Sequence, residues 1–292
     1  MARWDRQEDA IPEWFFEAIE TPATSHQVAV QECDVAYRRW GDQEKPAVLL
    51  IHGMFAHSHW WDFIAPLLLD DYQVLAMDLT GMGDSDYRHQ YTGDIFAEEV
   101  KAVVEHANLQ VPLSLVGHSF GGFVATHTVN VYPDLFNKLV LVDSGLRHPD
   151  EEELERPPMG GRAKLYPDKK TAVARFRLQP PQDCENTYIV EYVANQSLIP
   201  MEGGWTWKFD DDLPASLTGI ERSPETYENL SINMGIIAGA GSKLFSERSV
   251  QYTASLTQKK TLVSVIENAQ HHVFLDQPQR FVEALRTMLK EL

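Results

Sequence analysis

Six short apolar runs constrain this chain most. They are AVLLIHG (Ala47 to Gly53), QVLAMD (Gln73 to Asp78), LSLVGH (Leu113 to His118), KLVLVD (Lys138 to Asp143), MGIIAG (Met234 to Gly239) and TLVSVIE (Thr261 to Glu267). None alternates apolar with polar residues, as a strand with one wet face would. A continuous run of this length, closed by a small or polar residue, is the signature of a strand buried on both faces. Helical patterns lie between several of the runs. Phe96, Val100, Val103, Val104 and Ala107 fall on one helical stripe, Phe120 to Tyr132 follows the third run directly, and Gln279 to Leu292 closes the chain with Phe281, Leu285, Met288 and Leu289 on one face. Strands alternating with helices imply an α/β fold, a mostly parallel sheet flanked by helices. Upstream, QVAVQE and DVAYRRWG suggest a hairpin with Cys33 and Asp34 near its turn.

The alternation stops after Asp143. From Leu146 to about Arg222 the chain is rich in proline, charge and aromatic residues, with short helical pieces (TAVARF, NTYIVEYVANQSL) and no clean buried strand. That is too long for a loop in a compact domain. It is expected to be an inserted, mainly helical subdomain over 146–222, with the core made of 1–145 and 223–292.

The formal net charge of −18 and the lack of any long Lys/Arg cluster argue against nucleic acid as a partner. Two cysteines, Cys33 and Cys184, are too few for a disulfide-stapled secreted domain, and neither has a second ligand at metal spacing. The N-terminal stretch MARWDRQEDAIPEWFFEAIE lacks the apolar segment of a signal peptide, and no run approaches a membrane span. The expectation is a cytoplasmic protein with no membrane partner, no metal and no cofactor. The sequons at Asn195 and Asn229 carry no weight in such a protein.

Between the third run and its helix stands Gly117-His118-Ser119-Phe120-Gly121, a G-x-S-x-G pattern followed by another glycine. A nucleophile on so sharp a strand-to-helix turn needs near neighbours without side chains. The serine then projects above the sheet, and the following helix directs its unpaired N–H groups at the site.

Here the chain resembles the α/β-hydrolase family, from about Gln27 to its end. LLIHGMF (Leu49 to Phe55) looks like the family's His-Gly oxyanion loop. MDLTGMGDSD (Met77 to Asp86) is similar to its D-x-x-G-x-G-x-S turn, apart from Thr80, where many members carry arginine. ENAQHHVFLDQPQRF (Glu267 to Phe281) resembles the closing histidine segment. The resemblance implies Ser119 as nucleophile and His271 as base, because His271 stands five residues before Asp276 and seven before Pro278. His272 would then pack or lie at the surface, and an adjacent histidine pair with no third ligand does not make a metal site. It assigns the oxyanion donors to the backbone N–H groups of Met54 and Phe120, with Phe55 the next candidate. His52 is expected to be buried and hydrogen-bonded, His118 to face away as a structural residue, and His57 and His59 to line the entrance or lie exposed.

The third member of a triad is displaced. Most relatives carry an Asp in the loop after the seventh strand, and in GAGSKLFS Ser242 occupies that place. Glu247 is the nearest acid but falls at the start of a helix. Some members, haloalkane dehalogenases among them, carry the acid one sheet strand earlier, where this chain has Asp143. Asp143 is the expected acid, Glu247 the alternative, and Ser242 has at most a supporting hydrogen bond to the histidine loop. In GGWTWKFDDDLP, Trp205, Trp207 and Phe209 would share one face of an extended segment and wall a pocket or pack the insert on the core. The implied activity is a serine hydrolase of small or medium carboxylic esters. A C–C bond hydrolase, or a ligand-binding protein on the same scaffold, is the alternative.

Overall fold

All six apolar runs are strands of one eight-stranded sheet, with the expected hairpin at its edge. The computed structural model describes residues 11–152 and 164–292. The first ten residues of the N-terminal stretch, and residues 153–163 of the expected insert, lie outside the described residues. Helix α1 (Glu13–Glu20) precedes the strands, which in chain order are β1 Thr24–Val30, β2 Cys33–Trp40, β3 Ala47–Ile51, β4 Gln73–Met77, β5 Leu113–His118, β6 Phe136–Val142, β7 Asn233–Gly239 and β8 Thr261–Ile266. They lie in the order β1-β2-β4-β3-β5-β6-β7-β8. Only β2 runs against its neighbours; every other pairing is parallel.

The continuous apolar runs are explained by what covers the two faces. Leu49 and Ile51 enter one apolar cluster, with Phe96, Val100, Val103 and Val104 of helix α2 (Gly93–His106) and Val124 of helix α3 (Phe120–Val131). Val48 and Leu50, the intervening residues, enter a second cluster with Phe281, Leu285 and Leu289 of the closing helix Pro278–Glu291. With both faces covered, the few buried polar side chains on these strands, such as Gln73 and Ser114, are hydrogen-bonded, and each fully buried Leu, Val or Phe stabilises the fold by roughly 1.5–3 kcal/mol. The Thr92 side chain caps α2 by accepting the Ile95 N–H at 3.1 Å.

After β6 the chain leaves the sheet and returns at Asn233. Between them lie the helices Lys169–Val173, Thr187–Gln196, Leu213–Ser216 and Pro224–Glu228. A hairpin of Leu198–Met201 with Gly204–Trp207 stands beside them, an element that the helical patterning does not announce. Among the described residues no helix is long and apolar enough to cross a membrane.

Candidate active site

Parallel strands end together, so the loops after β3, β5, β6 and β8 meet at one edge of the sheet. Ser119 follows β5 directly and sits at φ +51°, a conformation that costs a non-glycine residue roughly 1–3 kcal/mol. A side chain on Gly117 would run into the Gly121 carbonyl, and one on Gly121 into the His52 carbonyl, so the glycines of the motif are sterically required. Asp143 ends β6 and His271 follows β8. Asp143 too is held at positive φ, +44°.

These three side chains form one hydrogen-bonded line. His271 Nε2 lies 2.9 Å from Ser119 Oγ, and His271 Nδ1 lies 2.6 Å from Asp143 Oδ2. A carboxylate only accepts, so Nδ1 carries the proton and Nε2 presents its lone pair to the serine hydroxyl. Asp143 is 2% exposed. Its Oδ1 accepts the Gly239 N–H at 3.1 Å, and its Oδ2 also accepts the Ser242 hydroxyl at 2.6 Å. Ser242 therefore bonds Asp143 itself, not the histidine loop. Glu247 stands exposed in the first turn of the helix Glu247–Leu256 and makes no bond to His271.

Ser119 opens into a cavity of about 330 Å³ lined by Met54, Phe120, Phe123, Phe245 and His271 among others. Among the described residues no acceptor meets the N–H of Met54 or of Phe120, the first residue of α3. The N–H of Phe55, by contrast, is turned to the Met82 sulfur at 3.2 Å. A second cavity of about 290 Å³ adjoins, sharing Met54, Phe55, Trp60 and Gln179. Trp207 and Phe209 line it, while Trp205 lies under the Lys169 ammonium.

The other histidines divide by burial. His52 is buried; its Nδ1–H donates to the Gly53 carbonyl at 2.7 Å and its Nε2 accepts the Leu79 N–H at 3.1 Å. His118 does not face away. Its ring lies 4.9 Å from that of His271, and its Nε2 donates to the His271 carbonyl at 3.1 Å. His272 packs 5.0 Å from His271 and gives its Nδ1–H to Gln182 Oε1 at 2.8 Å. Burial first, and then the neighbouring His271, hold both rings well below the ordinary histidine pKa. His57 is buried at the second cavity, and half-buried His59 pairs with Asp62 at 2.7 Å.

With this geometry in place the comparisons are specific. Residues 48–284 match the alpha/beta hydrolase family. The chain belongs to that family. An esterase of Mycobacterium tuberculosis is 26% identical to it over 275 residues, covering 89% of this chain and 88% of that protein. A serine hydrolase-like protein of Mus musculus is 34% identical over 131 residues, covering 44% of this chain but only 42% of the mouse protein. The solved structure of E-2-(acetamidomethylene)succinate hydrolase superposes with a TM-score of 0.75 at 20% identity, covering 92% of this chain and 99% of that one. This α/β-hydrolase thus has esterases and serine hydrolase-like proteins among its relatives.

Two features of the hydrolase were not read from its sequence. Thr80, which stands where many members carry arginine, shares the buried Glu99 carboxylate with Arg88. Thr80 Oγ1 donates to Glu99 Oε1 at 2.5 Å, and Arg88 Nε reaches the same oxygen at 3.0 Å. The guanidinium arrives eight residues later, a separation no local pattern marks. Gln182, between β6 and β7, also bridges to the histidine loop, donating to Asp276 at 2.9 Å and accepting the His272 backbone N–H at 3.0 Å. Asp276 in turn accepts the Gln270 N–H at 2.7 Å. The five-residue spacing that singles out His271 thus belongs to a carboxylate that ties up the turn before it.

Proposed function

We propose that this α/β-hydrolase is a serine hydrolase of small or medium carboxylic esters, with Ser119, His271 and Asp143 as its triad. The observation that carries the reading is the unbroken line from Ser119 Oγ through His271 to Asp143, at 2.9 Å and 2.6 Å. His271 Nε2 takes the Ser119 proton as Oγ attacks the ester carbonyl, and Asp143 stabilises the imidazolium that forms. The negative charge on the carbonyl oxygen is met by the N–H groups of Met54 and Phe120, where each donor is worth about 2.7–4 kcal/mol in the transition state. Collapse returns the proton to the leaving alcohol. Water, deprotonated by His271, then attacks the acyl-serine and releases the acid. Residues 146–222 are read as a cap over a core of 1–145 and 223–292, and the substrate as entering between them.

A fluorophosphonate probe tests this directly. The protein should be labelled at Ser119, lose labelling on Ser119→Ala, and release nitrophenol from nitrophenyl esters with a preference for short or medium acyl chains. A folded protein whose Ser119 stays unlabelled would overturn the reading.

A further inference from the structure

Among the described residues, the charged side chains lining the two cavities are mostly of the opposite sign to the chain as a whole. The sequence holds 43 acidic and 25 basic residues, so charges gathered without selection would be mostly carboxylates. The Ser119 cavity is instead lined by Arg147, Arg222 and Lys243. Asp143, buried and committed to His271, Ser242 and Gly239, is the one carboxylate among its described lining residues. The adjoining cavity adds Lys164, Arg175, Arg177 and Lys208, and no carboxylate among the described residues that line it.

Arg147 and Lys208 are partly neutralised by carboxylates among the described residues, and Arg222 too has partners. Glu151 lies 3.2 Å from Arg147, and Asp84 lies 2.6 Å from Lys208. The Arg147 guanidinium also donates to the Leu244 carbonyl at 3.4 Å and the Glu152 carbonyl at 3.0 Å, and only its buried Nε has no hydrogen-bond partner among the described residues. The Arg222 guanidinium is held over the ring of Phe123, another wall residue, at 4.2 Å. Lys243 is exposed and pairs with no carboxylate among the described residues.

We propose that the natural substrate is an ester carrying a carboxylate or phosphate group, which Arg222, Lys243 and Arg147 hold in the Ser119 cavity. This rests on the serine-hydrolase reading above and adds a substrate class to it. Surface carboxylates elsewhere are screened beyond about 8 Å at physiological salt, so the local cations set the field at the mouth of the cavity. Apolar walls such as Phe123 and Phe245 focus that field. An arginine beside a lysine suits an oxyanion, because the guanidinium offers paired N–H donors and the ammonium a point charge. A neutral ester gains nothing from these groups, whereas an anionic one is drawn in against the repulsion of the whole chain.

The test compares matched esters in two arms. For the acyl side, mono-4-nitrophenyl adipate is set against 4-nitrophenyl hexanoate. For the alcohol side, the butyrate of 3-hydroxypropyl phosphate is set against propyl butyrate. In at least one arm, kcat/KM should favour the anionic member by about tenfold, the size of one well-placed charge contact, and the ratio should shrink as salt is added. Lys243→Glu and, separately, Arg222→Gln should lower that ratio several-fold; both side chains are exposed, so the fold should survive. The arm that responds tells a carboxylate on the acyl group from a phosphate on the alcohol. A ratio at or below one in both arms, or one that neither variant moves, overturns the inference. If Ser119 still takes up fluorophosphonate, the hydrolase reading stands without it. No labelling and no turnover of any ester overturns both.

Discussion

Ser242 and Asp143 occupy the two strand ends from which this scaffold can present an acid to its histidine, and here they touch. The Ser242 hydroxyl donates to Asp143 Oδ2 at 2.6 Å, the same oxygen that receives His271 Nδ1. A hydroxyl can orient a carboxylate but cannot stabilise an imidazolium by charge. Asp143→Asn should therefore lower kcat about 10³–10⁴-fold while leaving the fold intact, as loss of the triad acid does elsewhere. Because β6 and β7 are adjacent, with Val142 in register with Ile237, a carboxylate at 242 starts beside the lost one. Adding Ser242→Asp to Asp143→Asn should recover at least about tenfold of that loss in kcat, for the same electrostatic reason. A double variant no faster than Asp143→Asn would mean that only the β6 position can reach His271. That Ser119, His271 and Asp143 would meet was legible: Ser119 from its glycines, His271 from its spacing to Asp276 and Pro278, Asp143 from the missing acid at 242. The bond from Ser242 to Asp143 was not, because it joins residues 99 apart through the pairing of two strands.

Helix α2 carries a fully buried carboxylate that an element otherwise packed on apolar residues must pair. Glu99 receives the Thr80 N–H at 3.1 Å and the Arg88 guanidinium at 3.0 Å, and Arg88 also donates to the Val30 carbonyl at 2.9 Å, so one ion pair ties α2, β1 and the turn after β4. Burial still raises the Glu99 pKa above the ordinary glutamate value. Arg88→Ala should cost about 3–5 kcal/mol near neutral pH, the usual effect of stranding a buried charge. The sign with pH follows. A carboxyl whose folded pKa is raised keeps its stability below the unfolded value, about 4.5, and loses it as pH rises through the folded value. Removing Arg88 raises that pKa further, so the deficit in Tm against the parent should be small near pH 4.5 and grow toward pH 7. A deficit that does not change with pH would show that Arg88 acts through packing alone. The strands were legible because both their faces are apolar. The hairpin Leu198–Met201 with Gly204–Trp207 was not, because its first strand is largely exposed and shows no alternation to read.

Across the whole molecule, burial of neutral imidazole is a recurring stability term. His52, His57, His118 and His272 are all buried, and desolvation lowers the pKa of each below the ordinary 6.5. Their bonding fits the neutral form. The Ser197 hydroxyl donates to the Val193 carbonyl, so it accepts from His57 Nε2–H and leaves His57 Nδ1 an unpartnered acceptor. His52 donates through Nδ1 and accepts through Nε2, a pattern closed to a cation. On unfolding below pH 6.5 each of these rings takes up a proton that the folded chain refuses. Their stabilisation is therefore complete above the unfolded pKa and is lost as pH falls toward the folded values. Glu99 and Asp276, whose pKa values burial raises, act in the opposite sense but are fewer. Tm should hold level from about pH 8 to 7 and then fall steadily to pH 5, with a slope equal to uptake of about two or more protons on unfolding. His118 and His272 pack against His271, so any turnover of nitrophenyl esters by Ser119 should fall over the same range on prolonged incubation. A Tm that is flat down to pH 5 would mean that these rings are protonated in the folded state, and that the hydrogen bonds assigned to them are wrong.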